Sequence, residues 1–246
     1  MSKNDLFCLG FGYTAQALAR RLRSKDWRIA GTTTSPDKAE RMAGDGVTAR
    51  LWGEDVSFNP AWLDEASAIL ISTPPGEDGC PALAAAGDAI AERRERIQWI
   101  GYLSTNGVYG DHDGAWVNED SELRGASARS KRRIKAEADW RALAEKHDLP
   151  LTVFRLPGIY GPGRSALDTV RAGKAKRIYK EGQVFSRMHV DDIAAALEAS
   201  IDTPHAYGVY NLADDEPAPP QDVVEYACGL LGVEPPPLTP IENADM

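Results

Sequence analysis

The sequence predicts an α/β protein built as a doubly wound parallel sheet, followed by a smaller C-terminal lobe. Three observations carry this. Short apolar runs alternate with helical patterns through the first two-thirds of the chain. The runs are continuously apolar rather than alternating, as in strands buried on both faces. Beyond Pro157 the regular alternation gives way to shorter elements and loops.

The elements follow in order. Leu6–Leu9 is a strand-sized run, and Tyr13–Leu22 places Ala15, Leu18, Ala19 and Leu22 on one helical face. Arg28–Ala30 is a second strand and Pro36–Ala43 a second helix. Val47–Leu51 is a third strand, and Ala68–Ile71 a fourth, ended by Pro74-Pro75. Pro81–Arg94 reads as a helix and Trp99–Leu103 as a fifth strand. Ser130–Glu145 is a long helix and Leu151–Leu156 a sixth strand. Right-handed crossovers between such strands wind the sheet in both directions. Residues 1–156, with 182–201 returning to them, are expected to form the large domain. Residues 157–181 and 202–246 are expected to form the small lobe over the substrate.

Composition bounds the function. The 246 residues carry 28 Lys and Arg against 37 Asp and Glu, a net charge of −9, and 43% are apolar. That is a globular balance, and an acidic chain repels nucleic acid and anionic membranes. A small molecule is therefore the expected partner. Cys8, Cys80 and Cys228 are too few and too scattered for a disulfide framework or a zinc pattern. The polar start Met1-Ser2-Lys3-Asn4-Asp5 has no secretory apolar segment, and no run approaches a membrane span. A cytoplasmic protein is expected.

Gly10-Phe11-Gly12-Tyr13-Thr14-Ala15 is a G-x-G-x-x-A turn, placed between the first strand and the first helix. Gly10 permits the tight turn, Gly12 lets a pyrophosphate approach the backbone, and Ala15 lets helix and strand pack closely. Tyr13 and Thr14 open the helix whose free N–H groups would hold the phosphates. A purely structural glycine turn is the alternative. The second strand runs into Gly31-Thr32-Thr33-Thr34-Ser35-Pro36-Asp37-Lys38, with no acid from Gly31 to Ser35 to hold a ribose 2′-hydroxyl. Thr34, Ser35 and Lys38 at a helix start suit a 2′-phosphate, so NADP is favoured over NAD. The alternative stays open that Ser35 only caps the helix, since no arginine stands there.

Four further segments follow. They are Leu103-Ser104-Thr105-Asn106-Gly107-Val108-Tyr109-Gly110, Arg155-Leu156-Pro157-Gly158-Ile159-Tyr160-Gly161-Pro162-Gly163, Arg187-Met188-His189-Val190-Asp191-Asp192 and Tyr210-Asn211-Leu212-Ala213-Asp214. In that order after the glycine turn, they resemble the extended short-chain dehydrogenase/reductase superfamily, the NAD(P)-dependent epimerase/dehydratase group. The match covers nearly the whole chain, and the G-x-G-Tyr start resembles an atypical branch. The resemblance implies a Rossmann domain and gives Thr105 the bond to a substrate hydroxyl or carbonyl. It puts Tyr160 in the nicotinamide and substrate cleft, and Thr73, Pro74 and Pro75 beside the cofactor. It puts Asp55 and Val56 near the adenine; Ser104, Arg187 and His189 are further candidates for the substrate side. It also implies a homodimer through surface helices and a chain running further than Asn243-Ala244-Asp245-Met246, so the small lobe is expected to be incomplete.

The chain departs from the family's chemistry. None of the eight tyrosines has Lys four residues later, and no tyrosine lies between Asp111 and Ile159. Arg129 and Arg133 fall where the family's acid/base tyrosine and its lysine belong, and an arginine stays protonated. Most of the run Arg129–Lys135 reads as a solvated basic helix face; Arg129 and Arg133 stay open between that and contacts to substrate or ribose. Asn106 and Gly107 occupy the positions of a dehydratase's Asp-Glu, and neither transfers protons at neutral pH. Asp111-His112-Asp113 reads as loop rather than metal site, Tyr109 as a turn residue, and Asp191 or Asp192 as a helix cap. The expected activity is hydride transfer to a small polar or sugar-like substrate. The alternatives are a silent dinucleotide sensor and a relic that binds no cofactor.

Overall fold

The computed structural model describes residues 4–203 and 205–244. Met1–Lys3 and Asp245–Met246, on which the expectations about the chain's ends partly rest, lie outside them. In chain order the elements are β1 (Asp5–Leu9), α1 (Tyr13–Arg23), β2 (Arg28–Thr33), α2 (Pro36–Gly44), β3 (Thr48–Leu51) and β4 (Ala68–Ile71). Then come α3 (Pro81–Glu92), β5 (Trp99–Thr105), α4 (Ala128–His147), β6 (Leu151–Leu156), β7 (Gly158–Tyr160) and α5 (Ala166–Arg171). β8 (Arg177–Tyr179), β9 (Arg187–His189), α6 (Val190–Asp202), β10 (Gly208–Asn211), α7 (Pro220–Leu231) and β11 (Leu238–Pro240) complete the chain.

Seven parallel strands form the main sheet in the order β10-β6-β5-β4-β1-β2-β3. Successive residues of β1 serve opposite layers. Leu6 and Cys8 pack with Leu18 and Leu22 of α1 and with Ile193 and Leu197 of α6. Phe7 and Leu9 pack with Ala86 and Ile90 of α3 and Trp140 of α4. Each large side chain so buried contributes about 1.5–3 kcal/mol. This is the predicted doubly wound fold. The chain reverses direction across the sheet between β1 and β4, which opens a crevice at the strands' C-terminal ends.

Local signals set the element ends. Ser35 Oγ accepts from Lys38 N, and Pro36 stands at the first position of α2. Ser127 Oγ accepts from Ser130 N, so α4 starts at Ala128, ahead of the expected Ser130. α6 is capped by His189 Nδ1, which accepts from Asp191 N at 3.2 Å. The expected caps, Asp191 and Asp192, lie inside the first turn instead.

One domain assignment is corrected. Residues 202–246 were expected wholly in the small lobe, yet β10 pairs with β6 from Gly208↔Thr152 to Asn211↔Arg155. The extended stretch after α6 completes the open edge of the main sheet before the chain leaves again. The small lobe is α5, β8, α7 and β11, with β11 pairing parallel to β8. The short strands β7 and β9 pair with each other, from Gly158↔Arg187 to Tyr160↔His189.

Candidate functional site

The glycine turn shapes one wall of the crevice. Gly10 has φ +89°, and a Cβ there would lie 3.0 Å from Ser72 Oγ and 3.2 Å from Thr73 N. Its N–H donates to Thr32 Oγ1 at 2.7 Å. Gly12 is the N-cap of α1 in extended conformation, with no side-chain cap bond. A Cβ on Gly12 would meet nothing nearer than Ser72 Oγ at 3.9 Å. The first-turn N–H groups of α1 are therefore left for a ligand or water. Thr14 and Ala15 themselves are buried and contribute backbone only.

The turn opens on a cleft of about 610 Å³. Gly10, Gly12, Thr34, Lys38, Thr73 and Pro74 line it, as expected from the sequence. Thr73 Oγ1 is buried and has no hydrogen-bond partner among the described residues. The Lys38 ammonium is drawn below its ordinary pKa by burial first and by Arg41 second. Ser35 stands back from the lining, its Oγ accepting from Lys38 N at 3.3 Å. Pro75 also stands outside it, as the chain turns away after Pro74.

Asp55 and Val56 do not line the cleft. Gly53 and Val56 exchange both backbone bonds in a tight turn, at 3.2 and 3.3 Å, which carries Asp55 and Val56 out into solvent. Trp52, Gly53 and Glu54 line the cleft in their place. The Trp-Gly pair just after the third strand was the overlooked signal. Trp52 is braced edge-on by Phe58, whose ring centroid is 5.7 Å away.

At the end of β5 the hydroxyls separate. Thr105 is half-buried, and its Oγ1 accepts from Gly107 N at 3.2 Å. Ser104 faces the other side of the strand, buried, and donates to Glu137 Oε1. The substrate role expected of Ser104 is corrected: the strand's alternation turns it into the interior. Glu137 also takes Arg155 Nη2 at 2.9 Å, and Arg155 Nη1 donates to Tyr109 OH at 2.8 Å. Tyr109 in turn donates to Asn211 Oδ1 at 2.7 Å. Burial works against the Arg155 charge, but Glu137 and Tyr109 outweigh it and hold the guanidinium above its ordinary pKa. This network locks β5, α4, β6 and β10 together beneath Thr105. The sequence reading missed Glu137 and the pairing, for which spacing alone gave no signal.

The two arginines also separate. Arg129 is exposed on the first turn of α4. Arg133 is 9% exposed, and its Nη1 donates to Leu103 O at 2.9 Å and to Tyr102 OH at 3.3 Å. Tyr102 is fully buried, and burial, opposed by Arg133, pushes its hydroxyl up to about 12. It is no acid/base group at neutral pH. Ser130, next to Arg129, has its Oγ 3.7 Å from where a Cβ on Gly107 would stand, and Thr105 Oγ1 is 3.5 Å from the same point.

The β7–β9 pair contributes no residue to the lining of that cleft. Tyr160 is exposed, and its ring meets the His189 ring edge-on with centroids 5.2 Å apart. Tyr13 donates to Pro162 O at 3.0 Å, tying the turn after β7 to the glycine turn. Arg187 Nη1 donates to Phe185 O at 2.9 Å and Ala218 O at 3.2 Å. Those bonds fasten the strand leading to α7, so part of the Arg187 guanidinium is committed to structure. In the loop expected after β5, His112 Nε2 lies 3.1 Å from Glu122 O, and Asp111 Oδ1 accepts from Asp113 N at 2.8 Å.

Comparison with known proteins places this geometry. The model of the NAD dependent epimerase/dehydratase family matches residues 88–213, just over half of the chain. Protein YeeZ of Escherichia coli strain K12 is 31% identical over 243 residues, 93% of this chain and 84% of that protein. A conserved protein of unknown function from Silicibacter pomeroyi is 48% identical with a TM-score of 0.90, over 99% of this chain and 84% of that one. A dTDP-glucose 4,6-dehydratase from Bacillus anthracis, solved with NAD, has a TM-score of 0.76 at 19% identity, over 97% and 84% of the two chains. At that identity the last likeness speaks for the fold.

Proposed function

The chain belongs to the NAD dependent epimerase/dehydratase family, and from that premise we propose that it binds a nicotinamide dinucleotide in the crevice between β1 and β4. The observation that carries the reading is the uncapped start of α1 above an open Gly12, facing a cleft whose Thr73 hydroxyl lacks a partner. Free N–H groups at a helix start suit a pyrophosphate, and a buried hydroxyl suits a ligand that completes its bonding. Bound there, the dinucleotide would supply hydride transfer.

The reading favours NADP over NAD. Residues 31–35 offer no carboxylate, and Lys38 holds a partly desolvated cation against the cleft. Glu54 is the acid that lines the cleft among the described residues, and it would act the other way, by taking a ribose hydroxyl. Titrations of one preparation with NADPH and NADH decide. Saturation by NADPH at concentrations where NADH fails supports the reading. The reverse order hands the specificity to Glu54, and no binding by either overturns it.

On this reading the protein is an oxidoreductase or epimerase of a small polar or sugar-like substrate, working without Tyr-x-x-x-Lys. Thr105 orients the reacting oxygen, and Tyr160 and His189 border the substrate. NADPH consumption across a panel of carbonyl compounds and nucleotide sugars, lost on Thr105→Ala, is the expected result. A second reading is a silent dinucleotide sensor, favoured by one observation. In sequence, Arg129 and Arg133 fall where the family's tyrosine and lysine belong, and neither exchanges protons near neutrality. Dinucleotide binding with no turnover across the panel would select it.

A further inference from the structure

The β4–β5 ladder ends at Ile71↔Tyr102, while the β5–β6 ladder continues to Thr105↔Leu156. Ser72 N and Thr73 N both donate to Leu9 O, at 2.9 and 3.2 Å, so the chain after β4 bends toward β1. A gap therefore opens between Thr73 and the last residues of β5. Arg133 reaches its lip through the bond to Leu103 O.

Arg133 is an anomaly there. It is nine-tenths buried, and no ion pair reaches it among the described residues. Its Nε–H has no acceptor. Glu137, one turn on, already serves Arg155 and Ser104. Arg133 stands in the second turn of α4. Arg129, Lys131, Arg132 and Lys135 crowd the same two turns, and the first turn holds no acid. Across the gap the Thr73 hydroxyl is a second buried group without a partner. Arg133 is eased by its two Nη1 bonds and by the Tyr102 ring 5.8 Å away, but it has no counter-charge and its Nε–H stays unsatisfied, and the usual remedy for such a buried cation is an anion with hydrogen-bonding oxygens.

We propose that Arg133 is the receptor for an anionic oxygen group, a carboxylate or a phosphate, that enters the gap between β4 and β5 on the substrate or on the dinucleotide. The inference rests on the proposed dinucleotide cleft for its location and names the charge of what that cleft receives. A guanidinium offers a carboxylate or phosphate two parallel N–H bonds, which an ammonium cannot match.

The test compares wild-type protein with Arg133→Met and Arg133→Lys. Affinities for inorganic phosphate and for oxalate are measured with and without NADPH, alongside the affinity for NADPH itself and the unfolding temperature. The expected result is an anion affinity that falls about tenfold in Arg133→Met and is partly kept in Arg133→Lys. If NADPH affinity stays level, the anion comes with the substrate. If NADPH affinity falls about tenfold instead, the anion is one of the dinucleotide's own phosphates. Ligand-free Arg133→Met loses the bonds to Leu103 O and Tyr102 OH and is expected to unfold lower than wild type, with Arg133→Lys recovering part of that loss. Unchanged affinities for all three probes in both variants would overturn the proposal. Arg133-dependent phosphate binding in a protein that ignores NADPH would sink the dinucleotide reading and leave this inference standing.

Discussion

Gly10 and Gly12 stand two residues apart in one turn, and alanine is expected to fail differently at each. At Gly10 the backbone is left-handed and a Cβ would press on Ser72 and Thr73. Gly10→Ala should therefore lower stability by about 1–3 kcal/mol, read by denaturant unfolding. At Gly12 the backbone is extended and the space beside it is the cleft itself. Gly12→Ala should leave the unfolding midpoint nearly unchanged and cut dinucleotide affinity by about tenfold or more, because the methyl takes the phosphate's place. Equal stability losses at both would mean that the turn serves structure alone. Lys38 gives the matching test at the other end. Lys38→Met should weaken NADPH by roughly tenfold and leave NADH unchanged, since one desolvated contact to a 2′-phosphate is of that order. That the glycines, Thr34 and Lys38 would line one cleft was legible in the sequence because backbone geometry and helix starts follow local rules, whereas Thr73 was placed there by the family resemblance alone. The inward turn of Ser104 and the Gly53–Val56 turn were not legible. Which way Ser104 turns depends on strand alternation at the sheet's end, and Asp55 depends on a turn whose bonds reach across to Val56.

Helices and strands were legible where burial is repeated along an element. β1 is buried throughout, and the apolar face of α1 meets α6 in one cluster. β10 escaped notice because its burial alternates between half-buried and exposed, as befits an edge strand. The α1–α6 contact carries its own titration. Glu198 of α6 is held below the usual carboxylate pKa by the hydrogen bond from Lys25 first, with burial opposing and Arg21 adding to the depression. Arg21 Nη2 lies 2.7 Å and Lys25 Nζ 2.9 Å from its carboxylate. A depressed folded pKa contributes stability that is complete above the unfolded value, about 4.3. It is lost as pH falls through the folded value. Glu198→Gln should therefore be less stable than wild type at neutral pH and converge with it in acid, in urea unfolding followed by circular dichroism. A gap that persists below both values would assign the effect to packing. The β5–α4–β6 network makes a harsher prediction. Glu137→Gln leaves Arg155 buried without its counter-charge and should cost about 3–5 kcal/mol. Glu137→Gln combined with Arg155→Met should recover part of that loss, which a role in packing alone would not produce.

At the scale of the whole molecule, composition and element order were enough for the fold class, but the net charge of −9 hides an uneven distribution. Cations gather at the start of α4 and along the small lobe, where Arg164, Arg171, Lys174, Lys176, Arg177 and Lys180 lie within one short stretch. A polyanionic ligand such as NADPH meets two opposed fields. On the proposed reading the whole chain would repel it at long range, whereas Lys38 would attract it at contact. Salt separates the two, because at 0.1 M the screening length is about 10 Å. Long-range repulsion is then largely screened, and a contact inside the cleft much less. If contacts govern binding, raising salt should weaken NADPH, and the slope should be shallower in Lys38→Met than in wild type. If the global charge governs, affinity should rise with salt and the variant should follow the same line. Isothermal titration of both proteins across a salt series reads the sign directly. A falling line for wild type with a flatter one for the variant is the expected outcome, because the cation that faces the cleft is partly desolvated while the acidic surface is not.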